Sequence, residues 1–155
     1  MLNPAIIYCA IQYAGITEVQ GPKSDPTILR WINRFMPDWT DDSSLAWCSI
    51  FANIVADEVG AETTLQLNPM VAKDWRHVGE PVALDDLQRG DIVIFHRGEP
   101  TDWRGHVAFF MRRNGPNLTV FGGNQSNAVR QSNYPVSRFM AGRRLRMDDG
   151  AYPKN

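Results

Sequence analysis

With 155 residues, 43% of them apolar and 21% charged, the chain has the size and balance of one globular domain around a single core; two domains would each be small for self-sufficient packing. A net charge of −1 excludes the global basic field expected of a nucleic-acid binder. The charge is uneven, however: residues 1–96 hold 6 Lys/Arg against 13 Asp/Glu, and residues 97–155 hold 10 against 4. A solvated sheet face or an anionic polymeric partner would each account for the basic half.

Pro4 to Ile16 is apolar, but it lacks a basic leader and a small-residue cleavage site, and Gln12 and Tyr13 interrupt it. It reads as a buried amphipathic helix from about Asn3, with Pro4 in the first turn and Gly15 as its stop. No run is long enough for a membrane span. Asp25-Pro26 starts a second helix that carries Ile28, Leu29, Trp31, Ile32 and Phe35 to Pro37. A third follows the stretch Asp41 to Phe51, whose Asp and Ser residues are candidate N-caps; its apolar positions continue through Ile54, Val55 and Val59 to Gly60. A short helix is expected over Met70 to His77.

The period then changes. Asp91 to Phe95 and Gly105 to Met111 read as strands, Asn114-Gly115-Pro116-Asn117 as a turn, and Leu118 to Phe121 as a third strand. Weaker strands are expected over Ala128 to Gln131 and Phe139 to Leu145. Helices followed by an antiparallel meander of about five strands predict an α+β domain over residues 1–147, with helix three packed on the sheet and residues 148–155 as a tail.

Two cysteines show neither a disulfide scaffold nor a zinc spacing. Cys9, amid Ile6, Ile7, Tyr8 and Ile11, reads as structural. Cys48 stands in the first turn of helix three, where backbone N–H groups and the helix dipole favour a thiolate. It also keeps helical spacing with Phe51 and Val55, so the segment alone leaves a core cysteine and a nucleophile both open. A nucleophilic cysteine needs a base and a group that orients the base. Among His77, His96 and His106, only His106 begins an apolar strand directly after a glycine, as a satisfied core residue or as a base facing helix three. Phe121-Gly122-Gly123-Asn124-Gln125 follows the third strand, and the amide oxygen of either Asn124 or Gln125 could accept the imidazole N–H.

The blocks Ala46-Trp47-Cys48-Ser49-Ile50-Phe51, Arg89-Gly90-Asp91-Ile92-Val93, Gly105-His106-Val107-Ala108 and Gly122-Gly123-Asn124-Gln125-Ser126-Asn127, in this order and spacing, resemble the CHAP/NlpC-type cysteine peptidases and amidases, in particular a phage and bacterial peptidoglycan-hydrolase branch. The resemblance implies a papain-like fold and a Cys-His-Asn mechanism. Cys48 would be the nucleophile, His106 the base and Asn124 its orienting group, with Trp47 and Gln125 lining the substrate cleft. The partner would be bacterial cell-wall peptidoglycan, met by a monomer without cofactor, metal, nucleic acid or membrane insertion. Many CHAP members carry an acidic third residue and a glutamine before the cysteine; here Asn124 and Trp47 stand there, so no bond preference transfers. Asp38, Asp41 and Asp42 are calcium candidates by chemistry alone, and their spacing is no calcium loop. The role implied is a phage endolysin or virion-associated lysin, made in the cytoplasm without a signal peptide and acting on the wall. The alternatives are a secreted antibacterial amidase effector and a catalytically idle wall-binding or tail component.

Overall fold

The computed structural model describes residues 2–18, 25–39 and 47–150. Three helices, α1 (Asn3–Ile11), α2 (Pro26–Phe35) and α3 (Cys48–Glu58), precede six strands: β1 (Glu80–Val82), β2 (Ile92–His96), β3 (Gly105–Asn114), β4 (Asn117–Gln125), β5 (Ala128–Pro135) and β6 (Phe139–Arg144). The strands form one antiparallel sheet in the order β1-β6-β2-β3-β4-β5. The sequence predicts five of the six. The missed one, β1, is three residues long with Pro81 in its middle; it pairs at the sheet edge, where a missing N–H is tolerated.

The α2 start follows the expected chemistry: Asp25 Oδ1 accepts from the amides of Thr27 and Ile28 at 2.8 and 3.0 Å, and Pro26 takes the first helical position. α1 ends at Ile11 and reaches Gly15 through a turn, Gly15 adopting φ 90°. α3 begins at Cys48 itself. Its N-cap is Trp47, which offers no side-chain hydrogen bond, and the candidate caps at 41–44 lie outside the described residues. The expected helix at Met70–His77 is a 3-10 turn over Ala72–His77.

α3 is buried on every side from Cys48 to Ala56, as a helix must be when it is enclosed by two helices and a sheet. Its Phe51 ring meets Tyr13, Trp31, Phe109 and Phe121 edge-on or tilted, at centroid distances of 5.7–6.4 Å. Burying a ring of that size is worth about 2–3 kcal/mol. Alternation along the strands sends Ile92, Ile94, Val107 and Phe109 to this helical side. Val93, Phe95, Ala108 and Phe110 face the other side, where Leu87, Tyr134 and Phe139 cover them.

Two polar clamps fix the helices. Fully buried Asp91 accepts from Asn3 Nδ2 at 2.8 Å, from Arg144 Nε and Nη2 at 2.9 and 2.8 Å, and from the Gln88 amide at 2.8 Å. A buried carboxylate needs such a set of donors. Glu58 accepts from the Cys9 thiol at 3.1 Å and from the Tyr13 hydroxyl, joining α1 to the end of α3. Cys9 is thus a structural residue, with burial and the Glu58 carboxylate pushing its thiol up to about 12.

Candidate active site

The site forms where β3 and β4 part. Their ladder shifts register once between Phe110 and Arg112, and the register of Phe110↔Val120 and Phe109↔Phe121, continued, would set Ala108 against Gly122, Val107 against Gly123 and His106 against Asn124. A bulge intervenes. On the other flank of β4, Gly122 pairs with Arg130 but Gln125, not Asn124, pairs with Ala128, so β4 holds one extra residue. Asn124 absorbs it with φ 54°, a left-handed conformation that asparagine tolerates.

One inserted residue exchanges the faces of everything after it. Gln125 therefore takes the place beside His106 that regular alternation reserves for Asn124. Its Oε1 lies 3.0 Å from His106 Nε2, and its amide nitrogen donates to the Arg130 carbonyl. The expectation that Asn124 orients the base is corrected on this point: Asn124 is half-buried in the bulge, and Gln125 is the residue behind the ring. The assignment of Gln125 to a substrate cleft falls with it, because both ends of its amide are engaged and the side chain is buried.

The same bonds assign the tautomer. With the Gln125 NH₂ given to a carbonyl, Oε1 can only accept, so His106 Nε2 carries the proton and Nδ1 keeps a lone pair. The ring is stacked on Tyr134 at 4.9 Å between centroids, with 25° between planes, and Tyr134 stacks in turn on Phe95 at 4.8 Å. His106 is thereby held from behind, from one face and by its own strand.

Cys48 reaches this point because both glycines of the block are required. A Cβ on Gly123 would stand 2.7 Å from Phe51 Cβ and from the Trp47 ring, so only glycine admits the start of α3 this close to β4. A Cβ on Gly122 would stand 2.9 Å from the Ala108 Cβ and 3.2 Å from Gln125 Oε1, crowding the group that holds the imidazole. The Cys48 sulfur is turned to the backbone N–H of Val107, the residue after His106, and to the N–H groups of Ser49 and of Cys48 itself. Trp47 fills the space over Gly123, packs 6.3 Å from Trp31 and is fully buried, so it lines the core and not a cleft.

Electrostatically the resting pair is neutral. Burial pushes the Cys48 thiol up, outweighing the three amides and the positive charge of Arg97, which pull it down. Burial also lowers His106 to about 4, opposed by the Gln125 bond and reinforced by the charges of Arg97 and Arg138. The sequence pattern, with a cysteine at a helix start, leads one to expect a thiolate; the structure encloses that helix start, and desolvation dominates.

Behind the nucleophile, Ser49 Oγ accepts from Trp75 Nε1 at 3.0 Å, while Asn53 bonds to the Ser49 carbonyl at 3.1 Å and to Thr64. The Trp-Cys block is thus buttressed by residues 64–75. Tyr134, Arg97 and Arg138 escape sequence reasoning. Tyr134 lies on a strand whose alternating exposure gives no apolar run, and the two arginines look like ordinary surface charge. Among the described residues no group of three or more His, Cys, Asp or Glu side chains could hold a metal ion.

No family model matches the chain, and no curated protein matches its sequence. Solved structures share its fold. One is a protein of the NLP/P60 family, similar to lipoprotein, from Staphylococcus aureus subsp. aureus Mu50, with TM-score 0.55 and 20% identity over 92% of this chain and 41% of that one. Another is the P60 domain of an antigen from M. avium subspecies paratuberculosis, with TM-score 0.52 and 15% identity over 90% of this chain and 92% of that one. The chain spans about two fifths of the first protein's length and nearly all of the second's. At these identities the likeness is one of fold, and the fold is the papain-like α+β arrangement of NLP/P60 domains, with the cysteine helix on an antiparallel sheet.

Proposed function

We propose that this chain is a cysteine peptidase or amidase that hydrolyses an amide bond of bacterial peptidoglycan, by a Cys-His-Gln mechanism. The observation that carries the reading is the His106 ring, fixed by Gln125 at Nε2 so that Nδ1 keeps its lone pair, while the Cys48 sulfur is turned to the N–H of the next residue, Val107. A core histidine satisfied for its own sake needs no second cysteine-bearing element beside it.

In the reaction, Cys48 Sγ attacks the amide carbonyl carbon as its proton passes to His106 Nδ1. The carbonyl oxygen becomes the oxyanion and is met by the N–H groups at the start of α3, which already favour negative charge at the sulfur. The imidazolium, stabilised through Nε2–H by Gln125, then protonates the departing amine. Water attacks the resulting thioester, gives its proton to Nδ1, and the thiol is restored as the carboxylic acid leaves. Because the resting pair is neutral, ionisation accompanies attack and does not precede it.

The phage setting implied by the sequence blocks belongs to the same proposal. A monomeric endolysin or virion-associated lysin, with residues 1–147 as its catalytic domain, would reach the wall during host lysis. A secreted antibacterial effector of the same chemistry would differ in partner and route, and a catalytically idle wall-binding component would release no product. The deciding experiment digests purified sacculi with wild type and with Cys48→Ala and identifies the released muropeptides by mass spectrometry. Wild type should release fragments with a new amino terminus, L-Ala for an amidase or a residue within the stem or cross-bridge for an endopeptidase, and Cys48→Ala none. Equal release by both proteins would end the cysteine-hydrolase reading.

A further inference from the structure

A cavity of about 130 Å³ opens beyond the C-terminal end of α3, where Gly60 turns the chain into residues 61–67. Cys48 is at the other end of that helix, whose eleven residues are about 16 Å long. Three segments wall the cavity, and each is fixed by hydrogen bonds. In the first, Asn53 Oδ1 accepts from the amide of fully buried Thr64 at 2.9 Å, and the Leu67 amide donates to the Thr64 carbonyl at 3.0 Å. In the second, His77 and Val78 close the 3-10 turn, and the Val78 carbonyl accepts from Arg143 Nε at 2.7 Å. The third, residues 146–148, is tied to the first: the Glu62 amide donates to the Arg146 carbonyl at 3.0 Å, and the Asp148 amide to the Gly60 carbonyl at 2.9 Å. The cavity is therefore preformed.

Its lining favours a neutral ligand over an ion. Arg146 and Glu62 satisfy each other, Nη2 to Oε1 at 2.9 Å and Nε to Oε2 at 3.2 Å. An ion of either sign has to compete with that pair. A guanidinium and a carboxylate each have more donors or acceptors than the pair uses, so neutral hydroxyls can join it. The Thr63 hydroxyl, the Gln66 amide and the His77 imidazole add groups that both donate and accept. Leu67, 45% exposed, and buried Val78 supply an apolar wall. A pyranose meets all of these demands, with a C–H face for the apolar wall and a rim of hydroxyls for the polar one. A cavity of about 150 Å³ takes one benzene ring, so the space here is that of a single six-membered ring.

We infer that this cavity is a binding site for one neutral sugar ring, separate from the catalytic site. It rests on the hydrolase reading above for the source of the sugar, the glycan strand of the wall, which is held at the far end of α3 while a peptide stem is cut at Cys48. A strand held there raises the effective concentration of its other stems at the nucleophile.

The test titrates tri-N-acetylglucosamine into full-length Cys48→Ala, with ¹H–¹⁵N NMR shifts to locate binding and calorimetry to measure it. The amides of residues 62–67, 77–78 and 146–148 should move, and those of 47–49, 105–107 and 122–125 should stay. Gln66→Ala and Leu67→Ala, at exposed positions outside the catalytic site, should together weaken binding about tenfold or more, while the remaining amide shifts show an intact fold. No shifts, shifts confined to the catalytic blocks, or undiminished binding in the double variant would overturn the inference. Sacculus digestion tells its failure from that of the hydrolase reading. Sugar binding by a protein whose wild type releases no muropeptide leaves the site standing and removes the wall as its source; muropeptide release without sugar binding leaves the enzyme standing and removes the site.

Discussion

At the scale of the residue, the informative contrast is between Asn124 and Gln125. Period-two alternation from Leu118 gives Asn124 the face of His106, and nothing local in the sequence announces the extra residue in β4. The cue is present only in composition: Gly122-Gly123-Asn124-Gln125-Ser126-Asn127 is rich in the residue types that accept a positive φ, and Asn124, Ser126 and Asn127 all adopt one. The roles can be separated by substitution. Gln125→Leu should lower kcat on the order of 10²-fold or more, since the imidazole loses the bond that fixes its tautomer and its rotation. Asn124→Gly, which keeps the left-handed backbone and removes the side chain, should stay within a few-fold of wild type. A large loss in Asn124→Gly with activity retained in Gln125→Leu would restore the asparagine as orienting group.

At the scale of the element, the site is a contact between a helix start and a parted pair of strands. The helices are largely legible because their signals are local: Asp25-Pro26 caps α2, and the apolar positions Phe51, Ile54, Val55 and Val59 mark α3. Cys48 is expected in the first turn of α3 and is its first residue; that Trp47 is the cap is not legible, because the candidate capping chemistry points several residues upstream. The contact itself rests on Gly123. Adding one methyl there places it 2.7 Å from Phe51 Cβ and the Trp47 ring, so α3 must retreat from β4. Gly123→Ala should therefore destabilise the fold by about 1–3 kcal/mol and cost activity beyond that loss, because the sulfur moves away from His106. Thermal or denaturant unfolding together with kcat on the remaining folded fraction checks this, and an unchanged midpoint with full activity would show that the packing is not limiting.

At the scale of the molecule, the fold buries both a thiol and an imidazole and so couples the site to folding. His106 is lowered to about 4 in the fold and returns to about 6.5 when the chain unfolds. Between these values the unfolded chain takes up a proton that the native protein refuses, so stability falls as pH drops through that window and is unaffected by this group above it. The order and spacing of the four blocks made the overall class readable, whereas the burial of the pair, its neutral state and the basic surroundings of His106 follow only from how the sheet folds back through Tyr134 and Arg138. The central claim, a neutral His106 protonated at Nε2 and held there by Gln125, is read most directly by a long-range ¹H–¹⁵N NMR titration of the three imidazoles. The account predicts that His106 stays neutral as the Nε2–H tautomer down to about pH 4 and loses that tautomer preference in Gln125→Leu. A His106 that titrates near the ordinary imidazole value, or that carries its proton on Nδ1, would contradict it.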